Sequence, residues 1–201
     1  MFNDTTEYRA DHRFGGSLFT RIPVRKGQVL CSFDGQFYDW GTNLLNLPND
    51  PPSYIRDHAI QYAAGKSRDS AAGLARFANH SCSPNCGIKD LFNVVAMQDI
   101  PAGVEITWDY AMTENNDWFM TCSCGSPRCR KLITGFRNLP PEFRREYEGF
   151  ISQWLIDANI PFEGHALGEF TPMALLRAPD FQNIPNLRSA ASYTFDAPRA
   201  S

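Results

Sequence analysis

No run in this 201-residue sequence comes near the roughly 18 consecutive apolar residues that a membrane-spanning helix needs. Stretches such as residues 91–97 are far shorter, and mean hydropathy is −0.36, so no membrane-embedded chain is expected. The start also lacks the basic residues and apolar core of a secretory leader, since residues 1–11 are polar and acidic. A cytoplasmic or nuclear chain is expected. Basic charge is not in excess: 19 Lys and Arg stand against 22 Asp and Glu, a net charge of −3. That balance does not supply the field on which non-specific nucleic-acid binding depends, so no direct nucleic-acid partner is expected, while a small basic partner stays compatible. Internal repeats and low-complexity blocks are missing too. What is plentiful is core material, with 43% hydrophobic residues, 15 Phe, 7 Tyr and 4 Trp, enough for one well-buried domain.

Along the chain, residues 14–20 and 29–33 read as short strands, the second following a Lys26-Gly27 turn. Residues 35–60 carry Asp39, Gly41, Asn43, Pro48, Asn49, Asp50, Pro51 and Pro52, too many breakers for a regular element of any length. Residues 91–97 and 104–108 are β-rich runs separated by the turn Asp99-Ile100-Pro101-Ala102-Gly103. After Pro140-Pro141, the recurrence of Phe143, Tyr147, Phe150, Ile151, Trp154 and Leu155 predicts one amphipathic helix over about 140–158, its stripe packed on the domain. An extended tail follows.

Six cysteines are too few for a disulfide scaffold. Cys122-Ser123-Cys124-Gly125-Ser126-Pro127-Arg128-Cys129 is a C-x-C-x4-C segment whose glycine and proline let three thiolates converge on one ion. Tetrahedral zinc needs a fourth ligand, for which Cys82, Cys86, Cys31 and the histidines are all candidates. Cys82 lies in Asn79-His80-Ser81-Cys82-Ser83-Pro84-Asn85-Cys86, a polar, proline-containing stretch that reads as a shaped loop.

Three segments, in matching order and spacing, resemble the SET-domain protein lysine methyltransferases. Residues 76–86, R-F-A-N-H-S-C-S-P-N-C, resemble that family's R-F-x-N-H-S-C-x-P-N motif. Residues 103–110, G-V-E-I-T-W-D-Y, resemble G-E-E-[LI]-T-[FY]-D-Y, and residues 122–130 resemble the post-SET zinc segment. Gly15-Gly16-Ser17-Leu18-Phe19 is a fourth, weaker match to G-x-G-[LV]-[FY], with Ser17 in place of the second glycine. The resemblance, which spans about residues 12–133, implies a mainly β chain of small curved sheets around a pseudoknot; the C-terminal amphipathic helix and extended tail lie outside it. The chain is accordingly divided into an N-terminal extension (1–11), a SET domain (12–117), a post-SET zinc segment (118–135) and a C-terminal helix and tail (136–201).

By the same resemblance, S-adenosylmethionine is the methyl donor, held by Gly15, Gly16, Ser17, Leu18, Phe19, Asn79 and His80. Tyr110 is the catalytic residue, its hydroxyl directed at the reacting centre. Trp108, where the family has Phe or Tyr, either lines and crowds the substrate channel or turns away as a core filler. Cys82 completes the zinc site with Cys122, Cys124 and Cys129, which leaves Cys31 and Cys86 as buried spare thiols. The implied reaction is methyl transfer to a lysine ε-amine in a basic protein or peptide, a histone tail among the candidates. Asp39, Asp50 and Asp57 in the 35–60 insertion either favour such a substrate or belong to a solvated loop. Two other readings compete: a non-catalytic SET scaffold that binds a partner, against which stands the joint retention of Asn79, His80 and Tyr110, and a zinc module for nucleic acid. The latter has only the small patch Arg128, Arg130, Lys131 and Arg137 in its favour.

Overall fold

A computed structural model describes residues 4–10, 15–39, 58–70, 73–115 and 118–158. The tail, most of the insertion with Asp50 and Asp57, and the start of the N-terminal extension lie outside these residues. Among the described residues the architecture is mainly β, in five small sheets.

The central sheet is antiparallel with the order β3 (Val29–Ser32), β9 (Asn93–Ala96), β8 (Cys86–Lys89). Strand β9 runs Asn-Val-Val-Ala between two partners, and Val94, Val95 and Ala96 are all fully buried, as a strand covered on both faces requires. Strands β1 (Thr6–Arg9) and β2 (Ser17–Thr20) form a second antiparallel pair. The other edge of β2 is also used: Leu18 O accepts from Ile106 N at 2.7 Å, and Thr20 N donates to Val104 O at 3.0 Å. The third sheet, β4 (Phe37–Asp39), β6 (Lys66–Arg68) and β5 (Ile60–Ala63), rises from the two ends of the insertion. The expectation of an irregular 35–60 is therefore corrected at β4: Phe37-Tyr38 are good strand residues, and pairing with β6 satisfies their backbone before the breakers begin. Asp39 in β4 pairs with Lys66 at 3.2 Å.

The feature that organises the rest is a parallel pair, β7 (Asn79–His80) with β10 (Thr107–Trp108), with Asn79 opposite Thr107 and His80 opposite Trp108. It places two segments far apart in sequence side by side, and a 3-10 turn, Tyr110–Met112, follows at once. A final antiparallel pair, β11 (Phe119–Thr121) with β12 (Leu132–Thr134), brackets the cysteine segment.

Beyond it the single helix expected over 140–158 is instead two short ones, α1 (Pro141–Glu146) and α2 (Gln153–Asp157). The break is at Gly149, whose φ of +80° is the left-handed conformation that glycine adopts without steric cost. Reversing there lets the chain spend its hydrogen bonds on the domain: Phe150 O accepts from Ile88 N at 2.9 Å, and Ser152 N donates to Met112 O at 3.0 Å. The apolar stripe still faces inward, with Phe143, Tyr147, Ile151, Trp154 and Leu155 all in the core. Close approach is essential at one point, because a Cβ on Gly87 would stand 2.7 Å from Phe150 Cβ and 2.8 Å from its carbonyl oxygen. Gly87→Ala is accordingly expected to cost about 1–3 kcal/mol of stability in urea unfolding, as overpacking of a closed interface does; an unchanged midpoint would contradict the docking of this segment.

Candidate functional site

The parallel pair gathers the motif residues. From β7, Asn79 Nδ2 donates to Ser17 Oγ at 2.8 Å, to Glu105 Oε1 at 3.0 Å and to Gly16 O at 3.3 Å. One amide thus pins the glycine loop to the segment leading into β10. Gly15 adopts φ +77°, and a Cβ there would meet nothing within 4 Å among the described residues, so the loop has an open side. Its other side is closed by Tyr8, whose hydroxyl donates to Gly15 O at 2.8 Å and whose ring packs 4.4 Å from that of Phe77. Of the other expected donor-binding residues, Ser17 joins this cluster through its hydroxyl. Leu18 and Phe19, expected to act through their backbones, send their side chains elsewhere: the Leu18 side chain is fully buried in the core, and Phe19 lies under the Arg9 guanidinium at 4.1 Å.

His80 sits with its ring edge-on to Tyr110, centroids 5.3 Å apart, and its Nδ1 accepts from Tyr110 N at 3.4 Å. Burial lowers its pKa to about 4; Asp109 opposes that shift and Arg130 adds to it, so the imidazole is neutral at physiological pH. Tyr110 is packed among His80, Trp108 at 5.0 Å and Trp118 at 6.5 Å. Burial raises its hydroxyl to about 12, so the phenol keeps its proton. The Trp108 indole is turned into the core, where Nε1 donates to Ala78 O at 3.1 Å and the ring meets Phe33 edge-on at 6.0 Å. Trp118 and Tyr8 were not anticipated, because neither stands in a motif.

Behind Tyr110 lies Asp109, fully buried. Its carboxylate takes a bidentate grip from Arg130, whose Nη2 stands 2.9 Å from Oδ1 and whose Nη1 donates to Oδ2. It also accepts from Tyr147 Oη at 3.0 Å and from Ala111 N at 3.1 Å, while His80 Nδ1 is 3.6 Å away. Arg130 loses to burial but gains more from this carboxylate, and so holds its proton more firmly than usual.

Four thiols form a separate but adjoining cluster. The sulfurs of Cys82, Cys122, Cys124 and Cys129 all lie within 4.8 Å of one another, and Cys82 and Cys122 are 3.9 Å apart. Zinc–sulfur bonds of about 2.3 Å at tetrahedral angles put ligand sulfurs just under about 4 Å apart, so the set fits one zinc ion. Burial holds the Cys82 and Cys122 thiols above their ordinary values, and backbone donors work against it: Arg130 N points at Cys82 Sγ (3.4 Å) and Cys82 N at Cys124 Sγ (3.5 Å). Burial opposes ionisation of Cys124, but the N–H groups of Cys82 and Ser126 outweigh it and bring the thiol down to about 7. Cys31 and Cys86 are not in the cluster; burial, with Asp34 adding, raises Cys31 to about 12. His80 Nε2 is 3.3 Å from Cys82 Sγ, so the cluster touches the Tyr110 site directly. The basic patch is engaged as well, Arg128 with Glu146 at 2.8 Å and Arg130 with Asp109.

The parallel pair thus joins an N-H-S-C segment to a W-D-Y segment, beside four convergent thiols. The SET domain profile matches residues 15–111, and over those residues the chain is similar to the SET-domain family. Among curated relatives it is 26% identical over 153 residues to mouse histone-lysine N-methyltransferase NSD3, covering 71% of this chain and 10% of that protein. It is 42% identical over 136 residues to histone-lysine N-methyltransferase trithorax of Drosophila virilis, covering 61% of this chain and 3% of that one. The chain thus spans a tenth or less of these two relatives. In fold it is similar to Arabidopsis thaliana SUVH6, crystallised with S-adenosylmethionine, with a TM-score of 0.50 and 19% identity over 64% of this chain and 33% of that one. No helix among the described residues is long and apolar enough to cross a membrane.

Glu114 is a further residue that no motif flagged. Its Oε1 accepts from Gln61 N at 3.0 Å and Thr113 Oγ1 at 3.2 Å, tying β5 to the end of the Tyr110 turn. Burial raises its carboxyl to about 7, the two hydrogen bonds only partly opposing. An unfolded glutamate releases its proton near 4.3. Between about 4.3 and 7 the folded state therefore binds more protons, and stability falls as pH rises through that window. Glu114→Gln should remove this slope, leaving stability near wild type at pH 4 and raising it by on the order of 1–3 kcal/mol at pH 8. Identical pH profiles in urea melts would contradict the assignment. For the thiol cluster, one zinc per chain is expected by elemental analysis, with Cys82→Ser and Cys122→Ser each well below half occupancy; metal-free wild-type protein of full stability would contradict it.

Proposed function

We propose that this chain transfers a methyl group from S-adenosylmethionine to the ε-amine of a lysine in a protein, with a histone tail as the favoured substrate class. The observation that carries this reading is the meeting of Asn79 and His80 with Trp108 and Tyr110 across the parallel pair, beside a glycine loop with one open side. The names of the curated relatives support histone lysine as the acceptor.

Gly15, Gly16, Ser17, Asn79 and His80 would hold the donor, through backbone groups that the glycines leave accessible and through the Asn79 amide. When bound, S-adenosylmethionine supplies an electrophilic methyl on a cationic sulfur. The acceptor lysine must be neutral, and deprotonating an amine of pKa near 10.4 costs about 4–5 kcal/mol at pH 7 unless its surroundings lower that value. The rings of Tyr110 and Trp118, backed by Trp108, would keep water from the amine, which disfavours the ammonium form. Tyr110, its hydroxyl protonated to about 12, acts as a hydrogen-bonding group that orients the amine lone pair rather than as a base. Trp108, with its indole N–H committed to Ala78, backs the Tyr110 ring. Zinc on Cys82, Cys122, Cys124 and Cys129 would tie the cysteine segment to the loop following β7, a structural role with no part in the chemistry.

The test is methyl transfer from labelled donor to core histones and a lysine-rich peptide array. Wild-type protein is expected to label a defined lysine, and Tyr110→Phe to lose at least about 100-fold in kcat while its donor affinity stays within about threefold, the loss typical of removing one preorganised hydrogen bond at a reacting centre. A folded, zinc-loaded chain that binds no S-adenosylmethionine would overturn the reading.

A further inference from the structure

The segment beyond the SET match grips the Tyr110 turn at both of its ends. At the start of the turn, Asp109 is the N-cap and its carboxylate accepts from Ala111 N. That carboxylate is held in one rotamer by Arg130 from the cysteine segment and by the Tyr147 hydroxyl from the end of α1. At the far end, Met112 O accepts from Ser152 N at 3.0 Å, and Thr113 O accepts from Trp154 Nε1 at 2.9 Å. Neither Tyr147 nor Arg130 falls within residues 15–111. Tyr147 is itself fully buried, and its phenol is pushed above its ordinary pKa by burial and by Asp109, so it stays a donor.

We infer that Tyr147 is a positioning residue for the methyl-transfer centre: through Asp109, shared with Arg130, it sets the orientation of the 3-10 turn that carries Tyr110. The inference rests on the proposed methyltransferase function. A turn of three residues has little stiffness of its own, so the direction of its first side chain is set by what fixes the cap. A small misdirection of a reacting group lowers turnover far more than it lowers binding. Tyr147→Phe removes one oxygen from a buried ring and leaves the packing of the α1 end in place, which separates positioning from simple structural support.

The experiment uses the full zinc-loaded chain with 3-fluorotyrosine placed at position 110 alone for fluorine NMR, and unlabelled protein for kinetics per zinc-loaded chain. Tyr147→Phe is expected to lower kcat about five- to twentyfold with KM for donor and peptide within about twofold, and to shift or broaden the position-110 resonance. Arg130→Lys, which keeps the charge and loses the bidentate grip, should give the same pattern and carries the test if Tyr147→Phe does not fold. Unchanged kcat in an active protein overturns the inference whatever the resonance does, as does a rise in KM matching the fall in kcat/KM. If wild-type protein binds the donor and turns nothing over while the resonance moves, the positioning holds and the proposed reaction fails; if the resonance does not move either, both fail.

Discussion

The constraint on which the rest depends is a single carboxylate without access to water. Asp109 is fully buried, paired with Arg130, and flanked by the histidine of one motif and the tyrosine of another. A charge so placed is tolerable only where donors surround it, and Arg130, Tyr147 and Ala111 N supply them. Removing one partner of such a pair costs about 3–5 kcal/mol in comparable buried sites, because the remaining charge is left uncompensated. Three parts of the chain must therefore be assembled before the centre is stable: the parallel strand pair, the cysteine segment and the C-terminal helices.

The thiol cluster and the carboxylate are mechanically one unit. Arg130 follows Cys129 in sequence, donates its backbone N–H to Cys82 Sγ, and sends its side chain to Asp109. Cys82 lies two residues after His80, which contacts both its sulfur and the Tyr110 backbone. Filling the cluster with a metal would fix the backbone of residue 130 and thereby the direction of its guanidinium. Zinc in this arrangement would order a hydrogen-bond network and take no part in the proposed methyl transfer.

Much of this was legible in the sequence, for a physical reason. The residues that meet across β7 and β10 sit in short, dense motifs, since polar side chains that must contact one another leave little freedom in spacing; the convergent cysteines are dense likewise. The donors to Asp109 were opaque. Tyr147 reads in sequence as one more apolar residue of an amphipathic stripe, and only the fold shows its hydroxyl turned toward a carboxylate. The break at Gly149 was hidden in the same way, because the stripe of Phe143 to Leu155 is equally compatible with one helix, and tertiary bonds to Ile88 and Met112 decide against it. Strand β1 escaped notice because Thr-Glu-Tyr-Arg has no alternation; it forms because β2 offers an edge. Glu114 and Trp118 carry no pattern at all.

The account's central claim is that the thiol cluster and the Tyr110 turn are held together through Asp109. Hydrogen exchange of the zinc-loaded chain, before and after a chelator, tests it most directly. The amides of Ala111, Met112 and Thr113 are predicted to lose protection together with Cys122 and Cys129 when the metal is withdrawn, while those of Val94 and Val95 in the central sheet keep theirs. A Tyr110 turn that stays protected until the central sheet itself opens would contradict the claim.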